Sequence, residues 1–239
     1  MIKLVFVNES CQNSAFFKKI RENSAFSEHI NKPLSHKVKK DRELAYGALS
    51  YLLSKLFLID EPRVDFDRKP TLLNKLSNKL AFNISHTDGA VVVAITDEYE
   101  SVGVDVEGLI QPERARRISE RLLTDKETNK DDLLLFQSIE LAALYYNGEE
   151  LVLKEVNRRQ SAEKKPTENT KISIKEIDKN ESDPYLATEG YTLLEATLKC
   201  DGGGFASLKR YGEIKACCKS ASLWFLISGR EYSLSLCCL

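Results

Sequence analysis

Phe82 to Glu107 reads FNISHTDGAVVVAITDEYESVGVDVE, and the rest of the chain is best understood outward from it. Ala90 to Ile95 is a run of small and β-branched residues, the composition of a buried strand. Thr87-Asp88-Gly89 just before it has the composition of a tight hairpin turn. Val102 to Glu107 is β-rich as well. On a strand, side chains alternate between faces, so Asp105 and Glu107 share one face while Val104 and Val106 take the other. Two carboxylates on one face repel unless something positive lies between them. An oxygen-preferring divalent cation, Mg²⁺ above all, is one answer. A solvated edge that happens to carry two acids is the other.

Working back to the N-terminus, Ile2–Val7 reads as a strand and Ser10–Glu22 as a helix. Ser24–Lys40 is polar and reads as a connection. From Asp41 the pattern DRELAYGALSYLLSKLF sets Leu44, Ala48, Leu52 and Leu56 on one stripe, which predicts a core helix. Arg42 then falls in its first turn, where a cation opposes the helix dipole. A bound anion would offset that cost; an ordinary surface arginine is the plainer account. Glu61-Pro62 and Asp67–Pro70 are turns around a short strand at Val64–Phe66. His86 is one of three histidines, and a histidine beside an apolar strand is more often structural than functional.

Working forward, Pro112 can start a helix running to about Leu123. Thr124–Glu127 has the T-x-x-E form of a capping box. The apolar stripe of Asp131–Tyr146 predicts another helix. Residues 147–185 turn polar and charged, an excursion from the core in which Leu151–Val156 and Lys171–Ile177 could pair as a hairpin. Tyr191–Lys199 is a short helix stopped by Asp201-Gly202-Gly203-Gly204. Glu195 and Lys199 share its face, as an ordinary i,i+4 ion pair would. Glu213–Lys219, Ala221–Ile227 and Glu231–Leu236 alternate as strands do, with a turn at Ser228-Gly229.

A chain of 239 residues suits one large domain or two similar halves. Its net charge of −1 implies no general attraction to nucleic acid or anionic membrane. No apolar run reaches membrane-spanning length, and MIKLVFVNES is too short for a secretory signal. The six cysteines have spacings of neither a disulfide framework nor a zinc site, and read as reduced thiols of a cytoplasmic protein.

Three motifs occur in order: F-N-I-S-H at Phe82–His86, G-V-D-V-E at Gly103–Glu107, and Y-T-L-L-E-A-T-L-K-C-D-G-G-G-F at Tyr191–Phe205. Together they resemble the 4′-phosphopantetheinyl transferases, in particular the longer type that activates surfactin synthetase. The resemblance extends less firmly to Arg42 and to the R-K-P turn at Arg68–Pro70. It implies an α+β fold of two similar α/β halves, a pseudo-dimer in one chain, each an antiparallel sheet packed with a long helix. Residues 1–107 would form the first half and 108–239 the second. It also implies transfer of the 4′-phosphopantetheine arm of coenzyme A to a serine of an apo acyl or peptidyl carrier protein, with Mg²⁺ and release of adenosine 3′,5′-bisphosphate.

By the same resemblance Asp105, Glu107 and Glu195 would ligate the metal, and Lys199 would hold a phosphate. Glu127 would act as general base. Arg42, Arg68, Lys69, Pro70, Ser85 and His86 would bind coenzyme A. A mixed basic and apolar surface would suit acidic carrier proteins, and Arg114, Arg116, Arg117, Arg121, Leu122 and Leu123 are the candidate patch; an ordinary amphipathic helix with its leucines in the core is the plainer account of the leucines. A monomer would suffice. Two positions depart from the family: its tryptophan is Tyr191, and the lysine before its glutamate is Leu194. A leucine cannot replace a cation, which keeps a rival open, a module that binds coenzyme A or a carrier without turnover. A different Mg²⁺-dependent phosphoryl-transfer enzyme finds no P-loop or kinase-type glycine loop to support it.

Overall fold

In the computed structural model the described residues are all except 23, 34, 67–69, 74–79, 115–134, 136, 157–171 and 176–182, with backbone only at 173–175, 183 and 205. Strand β1 (Ile2–Val7) leads through a 3₁₀ turn (Glu9–Asn13) into helices α1 (Ala15–Glu22), α2 (Ser27–Ile30) and α3 (His36–Phe57). A small ribbon, β2 (Val64–Asp65) and β3 (Thr71–Leu72), precedes the hairpin β4 (Ala81–Thr87) and β5 (Ala90–Thr96), then β6 (Val102–Gly108). Next come β7 (Ile139–Tyr146), β8 (Leu151–Glu155), β9 (Ile172–Lys175) and helix α4 (Asp183–Asp201). A 3₁₀ segment (Gly204–Arg210), α5 (Tyr211–Cys217), β10 (Lys219–Ile227) and β11 (Arg230–Cys238) complete the chain.

Two sheets pack face to face between two long helices. Sheet 1 has the order β4-β5-β1-β7-β8 and sheet 2 the order β6-β11-β10-β9. Val5, Val93 and Ile95 point from sheet 1 onto Leu44, Leu49 and Leu52 of α3. Their neighbours Leu4, Phe6 and Val92 point the other way, onto Val104, Phe225, Leu234 and Leu236 of sheet 2. A strand apolar on both faces must be buried on both faces, and the run at Ala90–Ile95 is. The hairpin turns at Asp88-Gly89 as its composition predicts, with Gly89 at φ +84°.

The outer face of sheet 2 is different in kind, because polar and small side chains meet α4 there. Thr192 Oγ1 lies 3.0 Å from Ser233 Oγ and 2.8 Å from Ser235 Oγ. Gly103 allows the helix backbone against the strand: a Cβ there would lie on the Ala196 carbonyl oxygen and 2.5 Å from the Cys200 amide nitrogen. This contact sets how closely α4 rides on β6.

The architecture is a mixed α/β fold with α+β character, and several segments differ from the expectations. Ile139–Tyr146 is not helical: it is β7, paired in parallel with β1, so sheet 1 is mixed rather than antiparallel. Its alanines and leucines favour helix locally, but burial beside β1 overrides propensity. Glu213–Lys219 is largely helix α5 rather than strand, with Ile214 as its buried anchor. The two alternating runs of the polar excursion are strands but do not pair with each other. β8 joins β7 in sheet 1 and β9 joins β10 in sheet 2. Helix α3 begins at His36, capped by Ser35, so Arg42 sits in its second turn and the dipole argument for a bound anion falls away. Within Ser24–Lys40, read as a connection, lie α2 and the first turn of α3. α4 starts at Asp183, eight residues ahead of Tyr191. Each sheet draws on strands from both sides of residue 107: β6 lies in sheet 2, and β7 and β8 lie in sheet 1.

Candidate active site

Strand β6 is the edge of sheet 2, and its free edge faces β4, the edge of sheet 1. Alternate residues of β4 reach across. The Val104 amide donates to Asn83 Oδ1 at 3.1 Å, and the Val106 amide donates to Ser85 Oγ at 3.3 Å. Thr87 Oγ1 donates to Glu107 Oε2 at 3.0 Å. Three polar side chains at period two thus take the place of a neighbouring strand. Asn83→Ala would strand the buried Val104 amide and is expected to cost about 1–3 kcal/mol, read as a lowered urea midpoint. An unchanged midpoint would mean that β6 needs no partner on this edge.

Asp105 and Glu107 emerge from this edge on one face of β6, as alternation requires, and α4 adds Glu195 and Lys199. These four, with Ser85, His86, Val106, Ile84 and Tyr191, line a cleft of about 350 Å³. Asp105 is 5 % exposed. Its Oδ1 accepts from Lys199 Nζ at 2.6 Å and from Ser85 Oγ at 2.8 Å. Lys199 also reaches Ser85 Oγ at 3.2 Å and the Val104 carbonyl at 3.3 Å. Burial pushes the Asp105 carboxyl above its usual range, and Lys199 and Ser85 only partly oppose this while Glu195 adds to it. Arg114 Nη1 donates to Glu107 Oε1 at 3.2 Å, and its guanidinium lies 5.3 Å from the Tyr191 ring centre. The Tyr191 hydroxyl donates to Glu195 Oε1 at 2.5 Å. Burial first, then that carboxylate, push the phenol up to about 12.

His86 stands at the rim, Nδ1 3.5 Å from Asp41 Oδ2. Burial lowers its pKa, Asp41 opposes this, and Lys199, Arg42 and Lys37 lower it further. Arg42 donates to the His29 carbonyl at 3.0 Å and does not line the cleft, although His86 feels its charge. Pro70 precedes β3 and lies outside the cleft lining. Ser85 gives its single hydroxyl hydrogen to Asp105, so it positions that carboxylate. Glu127, Arg68 and Lys69 lie outside the described residues, as do Arg116, Arg117, Arg121, Leu122 and Leu123.

Neither a comparison with protein-family models nor one with curated proteins finds a match for this chain. The reading therefore rests on the residues themselves. Leu194 packs with Leu198 and Ile214 and is 3 % exposed. Residue 194 thus belongs to a packing cluster, not to the cleft lining. Tyr191 does more than supply an aromatic ring, because its hydroxyl holds Glu195. Motif reading does not single out Asn83, which caps the Val104 amide, and it places Arg114 toward a carrier rather than on Glu107 and Tyr191 as an aromatic rather than as the partner of Glu195. The signal for Asn83 was present as the polar alternation Asn83, Ser85, Thr87. The pairing of Arg114 with Glu107 depends on how the chain turns after β6.

The carboxylates of Asp105, Glu107 and Glu195 are hard oxygen donors lining one cleft, a donor set suited in kind to Mg²⁺. They are not gathered into a cage. Among the described residues, only Cys200, Cys218 and Cys237 bring three metal-ligating atoms within 4.8 Å of one another. The internal partners of the acids, Lys199, Arg114 and Tyr191, neutralise or bind them meanwhile.

Proposed function

We propose that the protein is a 4′-phosphopantetheinyl transferase. It would attach the phosphopantetheine arm of coenzyme A to a serine of an apo carrier protein. The observation that carries this reading is convergence: Ser85 and His86, Asp105 and Glu107, and Glu195 and Lys199 come from three motifs far apart in the chain and line one cleft. In this reading the fold is two like layers, α3 on sheet 1 and α4 on sheet 2, meeting at the β4–β6 edge. Asp105, Glu107 and Glu195 would hold Mg²⁺, which offsets charge on the pyrophosphate.

The transfer breaks the phosphoanhydride bond of coenzyme A and forms a phosphoester on the carrier serine. The leaving group is adenosine 3′,5′-bisphosphate, and the serine proton passes to a base, for which Glu127 is the candidate. Lys199 offers the chain's own cation to a phosphate oxygen. His86 takes the rim, suited to the nucleotide 3′-phosphate. The rival, a binding module without turnover, draws on the internal pairing of all three acids.

Purified protein incubated with coenzyme A, Mg²⁺ and a panel of apo carriers decides between them by intact mass. The expected result is a gain of one phosphopantetheine on at least one carrier, absent with EDTA and in Glu195→Ala. No gain, with coenzyme A binding still measurable by calorimetry, would favour the binding module. Neither gain nor binding would end the reading.

A phosphate beside His86 would favour its imidazolium, so binding takes up a proton. Coenzyme A affinity is therefore expected to rise as pH falls through the pKa of the imidazole in the complex and to level off below its own lowered pKa in the free protein, by about tenfold for each pKa unit by which the phosphate raises the imidazole. Calorimetry across this range checks it. A slope that survives in His86→Ala would assign the proton elsewhere.

A further inference from the structure

Away from the cleft, three cysteines from three different elements converge. Cys200 sits in the last turn of α4, Cys218 between α5 and β10, and Cys237 on β11. Their sulfur atoms all lie within 4.8 Å of one another. Cys237 is directly opposite Gly103 in the β11–β6 register. That glycine's missing side chain is what lets Cys200 descend onto the sheet. Cys218 and Cys237 each interact with Cys200 and with one another. The surroundings are apolar, with Ala196 and Leu239 against the triad and Tyr211, Leu198 and Ile214 beside Cys218. Cys200 and Cys237 are buried, and the half-buried Cys218 opens the way in. None of the six cysteines is in a disulfide.

We propose that Cys200, Cys218 and Cys237 form a three-thiolate site for a thiophilic d¹⁰ metal ion, Zn²⁺ or Cu⁺. At a metal–sulfur distance of about 2.3 Å, ligand sulfurs in a tetrahedral shell stand about 3.8 Å apart. Sulfurs already within 4.8 Å need only a small contraction. A disulfide needs about 2.05 Å and an oxidant, and would leave the third thiol over. On binding, each ligating thiol releases its proton to solvent as its sulfur–metal bond forms. Three thiolates give Zn²⁺ a net charge of −1, with water as the fourth ligand. Three-sulfur coordination alone suits the soft Cu⁺. The ion would tie the end of α4, one residue past Lys199, to the α5–β10 junction and to β11. The site stands independently of the reading of the cleft.

The test uses the full-length protein, reduced and kept anaerobic, titrated with Co²⁺ as a spectroscopic stand-in for Zn²⁺. Expected are thiolate-to-cobalt charge-transfer bands saturating at one ion per chain. Native mass spectrometry with Zn²⁺ should show the same stoichiometry. Cys218→Ser is the chosen variant because its side chain is half-buried. It should weaken binding at least about tenfold, the loss already typical of outer-shell changes. Cys217→Ser and Glu195→Ala should leave the bands unchanged, which separates this site from the acidic cleft. Displacement of Co²⁺ by Cu⁺ would name copper as the preferred ion, and displacement only by Zn²⁺ would name zinc. Absence of thiolate bands in the wild type, or bands that persist unchanged in Cys218→Ser, would overturn the proposal.

Discussion

Lys199→Met is expected to destabilise the protein by about 2–3 kcal/mol and, under the proposed function, to cut carrier modification at least about a hundredfold. The reason lies in what it leaves behind. Asp105 is almost fully buried, and Lys199 Nζ at 2.6 Å is the cation that holds its charge. Stripping one partner from a fully buried pair costs about 3–5 kcal/mol. The figure here is lower because the Lys199 side chain is 29 % exposed and water screens part of the attraction.

The pH dependence identifies the stranded group. The Asp105 pKa is raised, chiefly by burial, so its folded value exceeds its unfolded one. The native state therefore holds this proton more tightly. The stability that the group contributes is fully present below about pH 4 and is lost as pH rises through the folded value. Removing Lys199 raises that value further. The deficit of Lys199→Met should therefore be largest at neutral and alkaline pH and should shrink on acidification. Urea unfolding at several pH values measures it. A deficit that does not vary with pH would clear Asp105 of responsibility. Adding Asp105→Asn to the variant should recover much of the loss by removing the buried charge.

The second large effect is expected from a single methyl group. Gly103→Ala should cost about 3 kcal/mol or more, the upper end for overpacking, because nothing can step aside. The added Cβ meets backbone on both counts, the Ala196 carbonyl and the Cys200 amide. Only a shift of α4 relieves that clash, and α4 carries Glu195 and Lys199. A displacement on the order of 1 Å is enough to lower turnover about a hundredfold. Gly108→Ala is the control on the same strand. Its nearest neighbours would lie 3.9 Å from the new carbon, so it should stay within about 0.5 kcal/mol of wild type. Chemical denaturation and carrier mass gain read both variants. Equal stability of Gly103→Ala and wild type would show that the helix does not press on the strand there.

Much of the site was legible because it depends on local periodicity. A strand alternates whatever its neighbours, so Asp105 and Glu107 had to share a face. A turn of composition Asp-Gly closes a hairpin, and β4 and β5 form one. The stripe through Leu44, Ala48 and Leu52 had to pack, and it packs on sheet 1. The helix expected over Asp131–Tyr146 failed from Ile139 onward for the opposite reason. Its local preference was overruled by β1, a partner more than a hundred residues away. The outer face of sheet 2 was equally opaque. Thr188, Thr192, Ala196 and Cys200 recur every four residues along α4, a small and partly polar stripe that hydrophobic periodicity does not register.

The residue types alone thus dictated the hairpin, the acidic strand and the shared face of Glu195 and Lys199. Each follows from the geometry of one element. Tertiary structure decided the rest. It brought α4 over β6 through the gap at Gly103, set Lys199 on Asp105, and turned Asn83 and Ser85 into partners for an unpaired edge. It also gathered three cysteines whose spacing in the chain had pointed to no metal site. These are contacts between segments far apart in sequence, and they form because each buried amide, carboxylate and thiol must find its partner wherever packing puts one.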